Sequence, residues 1–586
     1  MTARAAGLIV AASLALTLIG VASPAGPQTV PGRAAGQRPA EPPGTWPVRF
    51  VDVAREAGLT HPVTYGDVSR KRFIIETNGC GVAMIDLDDD GWVDLVTLNG
   101  TQLEPGARRA RAWPPGQAPR IRLYRNVRGR FTDATPSSGL DRIGWASSEC
   151  AGDTDGDGRV DLFITYFGRN VLYRNLGQGR FEDVTTKAGL DAARDRWGSG
   201  CSLLDINRDG DLDLFVANYL SLDLATAPEP GQGPNCSWKG LPVNCGPKGL
   251  PTDTNLLYRN NGDGTFTDVS AASGIAAVTG RYSMTAAAAD LDGDGWIDIY
   301  VATDSTAAIL YRNNHDGTFT DVALPSGAAY NELGSPQAGM GVALGDVDAD
   351  GALDILKTHF ADDIPALYRN RGRGLFEDIA TQAGLGVQNR FVQWGAGLPD
   401  LDNDGSMDVF YVTGNVYPEI EAALPQYPHR TPRVVFRNAG AGRFVDVTAS
   451  SGPGVTTPQS SRGAAFGDID QDGDVDALVM NMNAPPSLLR NEARTGHHWL
   501  TVRLEGTRSN RQGIGATVLV TSGGRTQARA VLSQASYYSV DDLRPSFGLG
   551  SATTADPIEV RCPKGAVDVV SGVAADRIVT IRERGQ

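Results

Sequence analysis

Asp86, Asp88, Asp90 and Asp94 occupy positions 1, 3, 5 and 9 of the stretch DLDDDGWVD, and Gly91 stands at position 6. Carboxylates this close repel one another unless a cation neutralises them. A hard cation does so through oxygen ligands. Ca²⁺ takes about six to eight of them at about 2.3–2.6 Å and tolerates a crowded, flexible cage, whereas Mg²⁺ demands near-ideal octahedral geometry. Alternate residues of a tight loop can turn inward together, and glycine at position 6 permits the sharp turn. The position-7 carbonyl, here that of Trp92, can join the ligand set.

The stretch recurs, for seven copies in all. The second offers Asp153, Asp155, Asp157 and Asp161 with the Arg159 carbonyl, and the third Asp205, Asn207, Asp209 and Asp213 with that of Asp211. Next come Asp290, Asp292, Asp294 and Asp298 with Trp296, then Asp346, Asp348, Asp350 and Asp354 with Ala352. The last two are Asp400, Asp402, Asp404 and Asp408 with Ser406, and Asp468, Asp470, Asp472 and Asp476 with Asp474. The expected ligands are therefore up to seven Ca²⁺ ions, which would add a charge of +14 to a chain of net charge −15. An EF-hand is excluded. That loop needs a carboxylate at position 12, where these copies carry Thr97, Ile164, Val216, Val301, Lys357, Tyr411 and Val479, and it needs a helix afterwards.

Strands must position such loops, because β-branched and aromatic runs such as DLFVANY and DIYVATD follow them. Each run leads to LYRN or a close variant (Leu123–Asn126 is the first, Leu488–Asn491 the last), then to a glycine turn and an F-x-D strand. A repeat without insertions thus supplies about four short strands in roughly 52 to 56 residues. Four-stranded units repeated radially make a β-propeller, here expected to have seven blades. The phase of the repeat predicts closure. The F-x-D element at Phe50 precedes every acidic loop, and the last repeat ends at LLRN without one. The N-terminal FVD is therefore the expected fourth strand of the seventh blade.

The 586 residues exceed one compact core. Net acidity argues against nucleic acid as a partner. Residues 1–25 read as a secretory signal peptide, with Arg4 before an apolar run and small residues after it, and 26–46 as a Pro/Gly/Ala-rich linker. The chain is thus expected to be secreted, to the periplasm or the cell exterior, with no transmembrane span after cleavage. Export permits disulfides. Cys236 and Cys245 share one Pro/Gly-rich insertion and are the expected pair, while Cys80, Cys150 and Cys201 read equally as buried thiols or as containing a second pair. From about Thr495, alternating segments around a Gly-Gly turn predict a small β-sandwich-like domain.

Residues 47–494 resemble the FG-GAP/VCBS propeller repeat of integrin α-chain heads. Residues 495–586, through NRQGIGATVLVTSGGRTQAR, SYYSVDDLRPSFGLGS and IEVRCPKGAV, resemble the ASPIC/UnbV domain, with Pro545, Ser546 and Cys562 departing from its pattern. Together, and with the insertion CSWKGLPVNCGPKGLP before LYRNNGDGTFTDV, the chain resembles the cartilage acidic protein (ASPIC/UnbV) family. The resemblance implies secreted calcium binding and extracellular interaction.

Two functions are then open: an extracellular binding or adhesion module for a glycan or protein, or a carbohydrate-active enzyme on a propeller scaffold. The chain lacks G-x-S-x-G, H-E-x-x-H and P-loop motifs, which favours binding. Candidate ligand contacts are Arg108, Arg109 and Arg111 in one insertion and Trp238 in the insertion 221–254. Trp145 and Trp197 could stack on a sugar at the channel mouth or pack between blades.

Overall fold

The computed structural model describes residues 46–191 and 194–584, with a two-residue strand Gln28–Thr29. The expected signal peptide and nearly all of the expected linker lie outside the described residues. Within them the chain builds a β-propeller and a smaller β domain. The propeller consists of seven four-stranded antiparallel units; Gln28–Thr29 adds a short strand to the first, and a short pairing of Arg196–Trp197 with Phe167–Gly168 joins the second to the third. The first contains Val82–Ile85, Asp94–Thr97, Arg122–Asn126 and Arg130–Asp133, and the other six repeat its plan. In each, the first two strands flank an acidic loop, the third carries the LYRN motif and the fourth the F-x-D motif. The first strand of every sheet lies beside the first strand of the next, and that of the seventh lies beside that of the first, so the sheets form a ring.

The N-terminus closes this ring as the phase of the repeat predicts. Phe50–Asp52 pairs with Ser487–Asn491, in the register Phe50 to Asn491 and Asp52 to Leu489. Phe50 is fully buried there, edge-on to Phe410 of the neighbouring sheet.

The asparagine of LYRN is the latch between blades. Its Nδ2 donates to the position-2 carbonyl of the preceding blade's acidic loop in all seven cases, at 2.8–3.0 Å. Asn370 thus reaches Leu291, and Asn126 of the first blade reaches Ile469 of the seventh. These groups are buried, so removing the donor strands a carbonyl, a loss of about 1–3 kcal/mol. Asn370→Ala should cost that much in equilibrium unfolding, whereas Asn261→Ala, at an exposed turn, should cost under about 0.5 kcal/mol. Equal effects would deny the latch.

The C-terminal domain holds a three-stranded sheet, with His498–Glu505 between Ser546–Gly550 and Arg577–Arg582, and a four-stranded sheet built on Thr517–Ser522 and Arg525–Ala530. Between Ala530 and Ser546 the chain leaves this domain and enters the propeller channel. Inner-strand N–H groups face a channel that would otherwise have to be wetted, and residues 533–541 pair them. Ala151 donates to Ser533 O at 3.2 Å, Val342 to Ser536 O at 2.6 Å, Glu149 to Tyr538 O at 3.2 Å and Met84 to Val540 O at 3.0 Å. Side-chain oxygens of the same segment accept from Leu203 (Ser533 Oγ, 2.8 Å) and Ala286 (Gln534 Oε1, 3.2 Å). The approach is so close that a Cβ at Gly81 would fall 1.7 Å from the Tyr538 carbonyl oxygen. Tyr537 and Tyr538, both fully buried, stack at the tip of this plug.

Candidate metal centre

Because each acidic loop joins the first two strands of its blade, all seven lie on one face of the ring. Their backbone geometry is nearly identical. Position 4 is left-handed in every copy, with φ from +56° to +78°, at Asp89, Gly156, Arg208, Gly293, Ala349, Asn403 and Gln471. Position 6 is also left-handed, at +85° to +99°, which is why it is always glycine. The position-1 carboxylate accepts the position-6 N–H at 2.8–3.0 Å in all seven loops. The position-5 carboxylate accepts the N–H of position 7, again at 2.8–3.0 Å.

Position 9 has a second duty. Its two oxygens accept the N–H of position 2 and that of the LYRN asparagine, as Asp354 does from Val347 at 3.0 Å and from Asn370 at 2.7 Å. The acid therefore ties loop, second strand and third strand together, and it is at most 3% exposed in every copy. Position 3 faces the LYRN arginine: Arg125 pairs with Asp88, Arg174 with Asp155 at 2.6 Å, Arg369 with Asp348 and Arg437 with Asp402 at 3.7 Å.

Burial, reinforced by neighbouring acids, lifts these carboxyls out of their usual range. Asp86, Asp205 and Asp346 at position 1 rise to about 6 and Asp400 to about 8. At position 9, Asp161 rises to about 7, Asp94 and Asp354 to about 8, and Asp213, Asp298, Asp408 and Asp476 also rise. Oxygens of Asp86, Asp88 and Asp90 lie within 4.8 Å of one another, as do those of Asp290, Asp292 and Asp294, and of Asp400, Asp402 and Asp404. In two other loops position 9 replaces position 5, giving Asp153, Asp155 and Asp161, and Asp346, Asp348 and Asp354. In the third loop the neutral Asn207 donates to Asp209 at 2.7 Å. Crowded, half-buried, oxygen-only clusters, with Asp88 Oδ1 lacking any hydrogen-bond donor, fit a hard divalent ion.

The C-terminal domain covers this face. Arg544 donates to the Gly91 carbonyl and Lys564 to that of Asp209, each at 2.6 Å. Arg525 reaches Ser406 Oγ at 2.8 Å, His497 Nδ1 the Asp402 carbonyl at 2.7 Å, and Arg503 pairs with Asp89. None of these contacts is legible in the repeat.

On the opposite face lie the insertions. Arg108 is spent on structure, donating to the carbonyls of Leu224 and Ala227 and pairing with Glu229, so it binds one insertion to the other. Arg109 and Arg111 are exposed, Arg109 paired with Glu104 and Arg111 stacked over Trp113. Trp238 is half-buried among Phe360, Tyr417 and Tyr427. Trp145 and Trp197 are 3% and 1% exposed, so they pack between blades and cannot stack on a sugar. Cys236 pairs with Cys245 as expected, Cys150 pairs with Cys201 on neighbouring inner strands, and Cys80 is a buried thiol.

The FG-GAP-like repeat model matches residues 86–164, 153–216, 249–301, 290–356 and 400–479, and the ASPIC and UnbV model matches 506–586. Human cartilage acidic protein 1 is 26% identical over 530 residues, spanning 86% of this chain and 71% of the relative. The Xenopus tropicalis protein of that name is 26% identical over 522 residues, 83% of this chain and 70% of the relative. Likeness to solved structures is looser. The BP39L lectin from Burkholderia pseudomallei is 10% identical at a TM-score of 0.42, covering 72% of this chain and 97% of its own. A lectin from Agrocybe aegerita that recognises non-reducing terminal N-acetylglucosamine is 19% identical at 0.35, covering 64% of this chain and 88% of its own. Overlaps this loose carry no argument about ligands. The repeat matches span more than half of the chain and a separate match covers 506–586, so this chain belongs to the family of FG-GAP-like repeat proteins, here with an ASPIC and UnbV domain.

Proposed function

We propose that the chain is a secreted, calcium-stabilised propeller that binds an extracellular glycan or protein through its insertion face. The carrying observation is the division of labour between the two faces. Every acidic loop lies beneath or beside the C-terminal domain, while the long insertions stand on the open side. On this reading Ca²⁺ ions hold the blades in shape from positions 1, 3, 5 and 9 of each loop, with the position-7 carbonyl, and do not touch the partner. The two disulfides fit an oxidising compartment. Among the described residues no helix is long and apolar enough to cross a membrane.

The test is a glycan and matrix-protein binding screen of the mature chain. Binding is expected with calcium, and Asp290→Ala with Asp294→Ala should weaken it only as far as the melting temperature falls. Loss of binding by these loop variants at unchanged stability would instead mean that the ions bridge to the ligand.

A further inference from the structure

The insertion face holds a cavity of about 200 Å³ at the tip of the plug. Its walls include the rings of Tyr219, Phe360, Trp394 and Tyr417, and between them stand Asp304 and Asn244. The plug supports the floor: Tyr537 packs edge-on against Trp394 at 5.1 Å and donates to the Asn78 carbonyl at 3.1 Å. The insertion 221–254 arches over from the third blade to make the rim. Trp238 lies 5.9 Å from both Phe360 and Tyr417, and Lys239 pairs with Asp362 at 2.5 Å. Arg72 and Arg108 clamp the insertion's Glu229, and the Cys236–Cys245 bridge lies directly beside Asn244.

The polar groups are set for a partner the protein does not itself supply. Asn244 is 2% exposed, and its Oδ1 has no hydrogen-bond donor. Asn78, 4% exposed, is already engaged by Thr77 Oγ and the Tyr538 hydroxyl, so the demand for an outside donor comes from Asn244. Asp304 accepts from the Tyr219 hydroxyl at 2.6 Å and from Ser305 Oγ at 2.8 Å, with acceptor capacity to spare. A buried acceptor left unpaired costs about 1–3 kcal/mol, so a donor belongs here. Tyr219 and Trp394 are too buried to stack on a ligand, so the apolar surface on offer is that of Phe360 and Tyr417, which water would leave unsatisfied. A pyranose satisfies this surface and the polar groups, because its C–H face packs on aromatic rings while its hydroxyls donate and accept. Size sets the limit: a cavity of about 150 Å³ holds benzene, so this one takes one substituted six-membered ring. No Lys or Arg lines the cavity, and Lys248, the nearest cation to act on Asp304, is matched by that carboxylate, so an anion has little to bind.

We propose that this cavity binds a single neutral hexose ring, the terminal residue of a glycan. The proposal rests on the binding-module reading and gives it a site. The stapled insertion then acts as a preformed rim, with its ordering already complete before the sugar arrives.

The experiment uses the calcium-loaded full mature chain and saturation-transfer NMR with the methyl pyranosides of glucose, galactose, mannose and N-acetylglucosamine, and with choline as the cationic probe. At least one pyranoside is expected to bind. Asn244→Ala and Asp304→Asn should each weaken it about tenfold, with the melting temperature unchanged for Asn244→Ala. Pyranoside binding that both variants leave intact would overturn the cavity. So would choline binding in place of every sugar, which would make the rings a cation cage. If no pyranoside binds while the screen finds a protein or polymer partner, the cavity falls and the binding-module reading stands. If nothing binds in either experiment, both fall.

Discussion

Excess chelator should lower the melting temperature of the chain by about ten degrees, and added calcium should restore it. The argument begins with charge. The seven loops place 27 Asp and one Asn at ligand positions, and the position-9 acids, buried in every copy, have little water to screen their neighbours. A ligand that binds only the folded state stabilises it by linkage, about 1.4 kcal/mol per site at a tenfold excess over Kd. Seven such sites together rival the whole stability of a typical domain, about 5–15 kcal/mol. Acidity should separate the two forms. The folded-state pKa values of these acids are raised, to about 6 at Asp86, Asp205 and Asp346 and about 8 at Asp94, Asp354 and Asp400. Their unfolded value is about 3.9. Protonation therefore favours the ion-free fold, and that contribution is lost as pH rises from about 4 through 8. Calcium needs the deprotonated ligands, so the gain in melting temperature on adding it should grow over the same range. A melting curve that ignores both chelator and pH would refute the calcium assignment.

The second large effect should come from the plug. Replacing residues 533–541 by a glycine–serine segment of equal length strips the first strands of their inner hydrogen-bond partners and empties the channel of Tyr537 and Tyr538, both fully buried. Truncating a single buried aromatic costs about 3–5 kcal/mol. The full replacement should therefore leave the ring marginal or unfolded at room temperature. Tyr537→Ala keeps the test readable, with an expected loss of about 3–5 kcal/mol. Calorimetry should show one transition for the parent, because the plug makes the propeller and the C-terminal domain unfold together, and two transitions for the variant. A plug variant that melts as one unit within a few degrees of the parent would show that the segment merely occupies the channel.

Much of the propeller was legible in the residues because its instructions are local. An acidic loop is written within nine residues, since its acids bind N–H groups seven residues away or fewer, apart from the position-9 tie to the third strand. The hairpin of LYRN and F-x-D is written within one turn. Even ring closure could be counted, because a strand missing at one end and spare at the other leaves an arithmetic trace, and Phe50 does pair with Asn491. The left-handed position 4 had a weaker signal, the Gly, Asn and Asp found there in four of seven loops; Arg208, Ala349 and Gln471 hide it.

Everything that joins one repeat to another, or one domain to another, was decided only by the tertiary structure. The LYRN asparagine reads as a marker until its partner in the preceding blade is seen. Cys150 and Cys201 become a pair only because two inner strands are neighbours in the ring. The insertion arginines read as candidate ligand contacts, yet Arg108 spends its donors on carbonyls about 116 to 119 residues further on. Tyr537 meets Asn78 across a sequence separation of 459 residues. Contacts of this kind impose no period and no spacing on the chain. They depend on which surfaces the finished ring brings together, and so the local pattern specifies the blades while only their assembly decides the cap, the plug and the cavity above it.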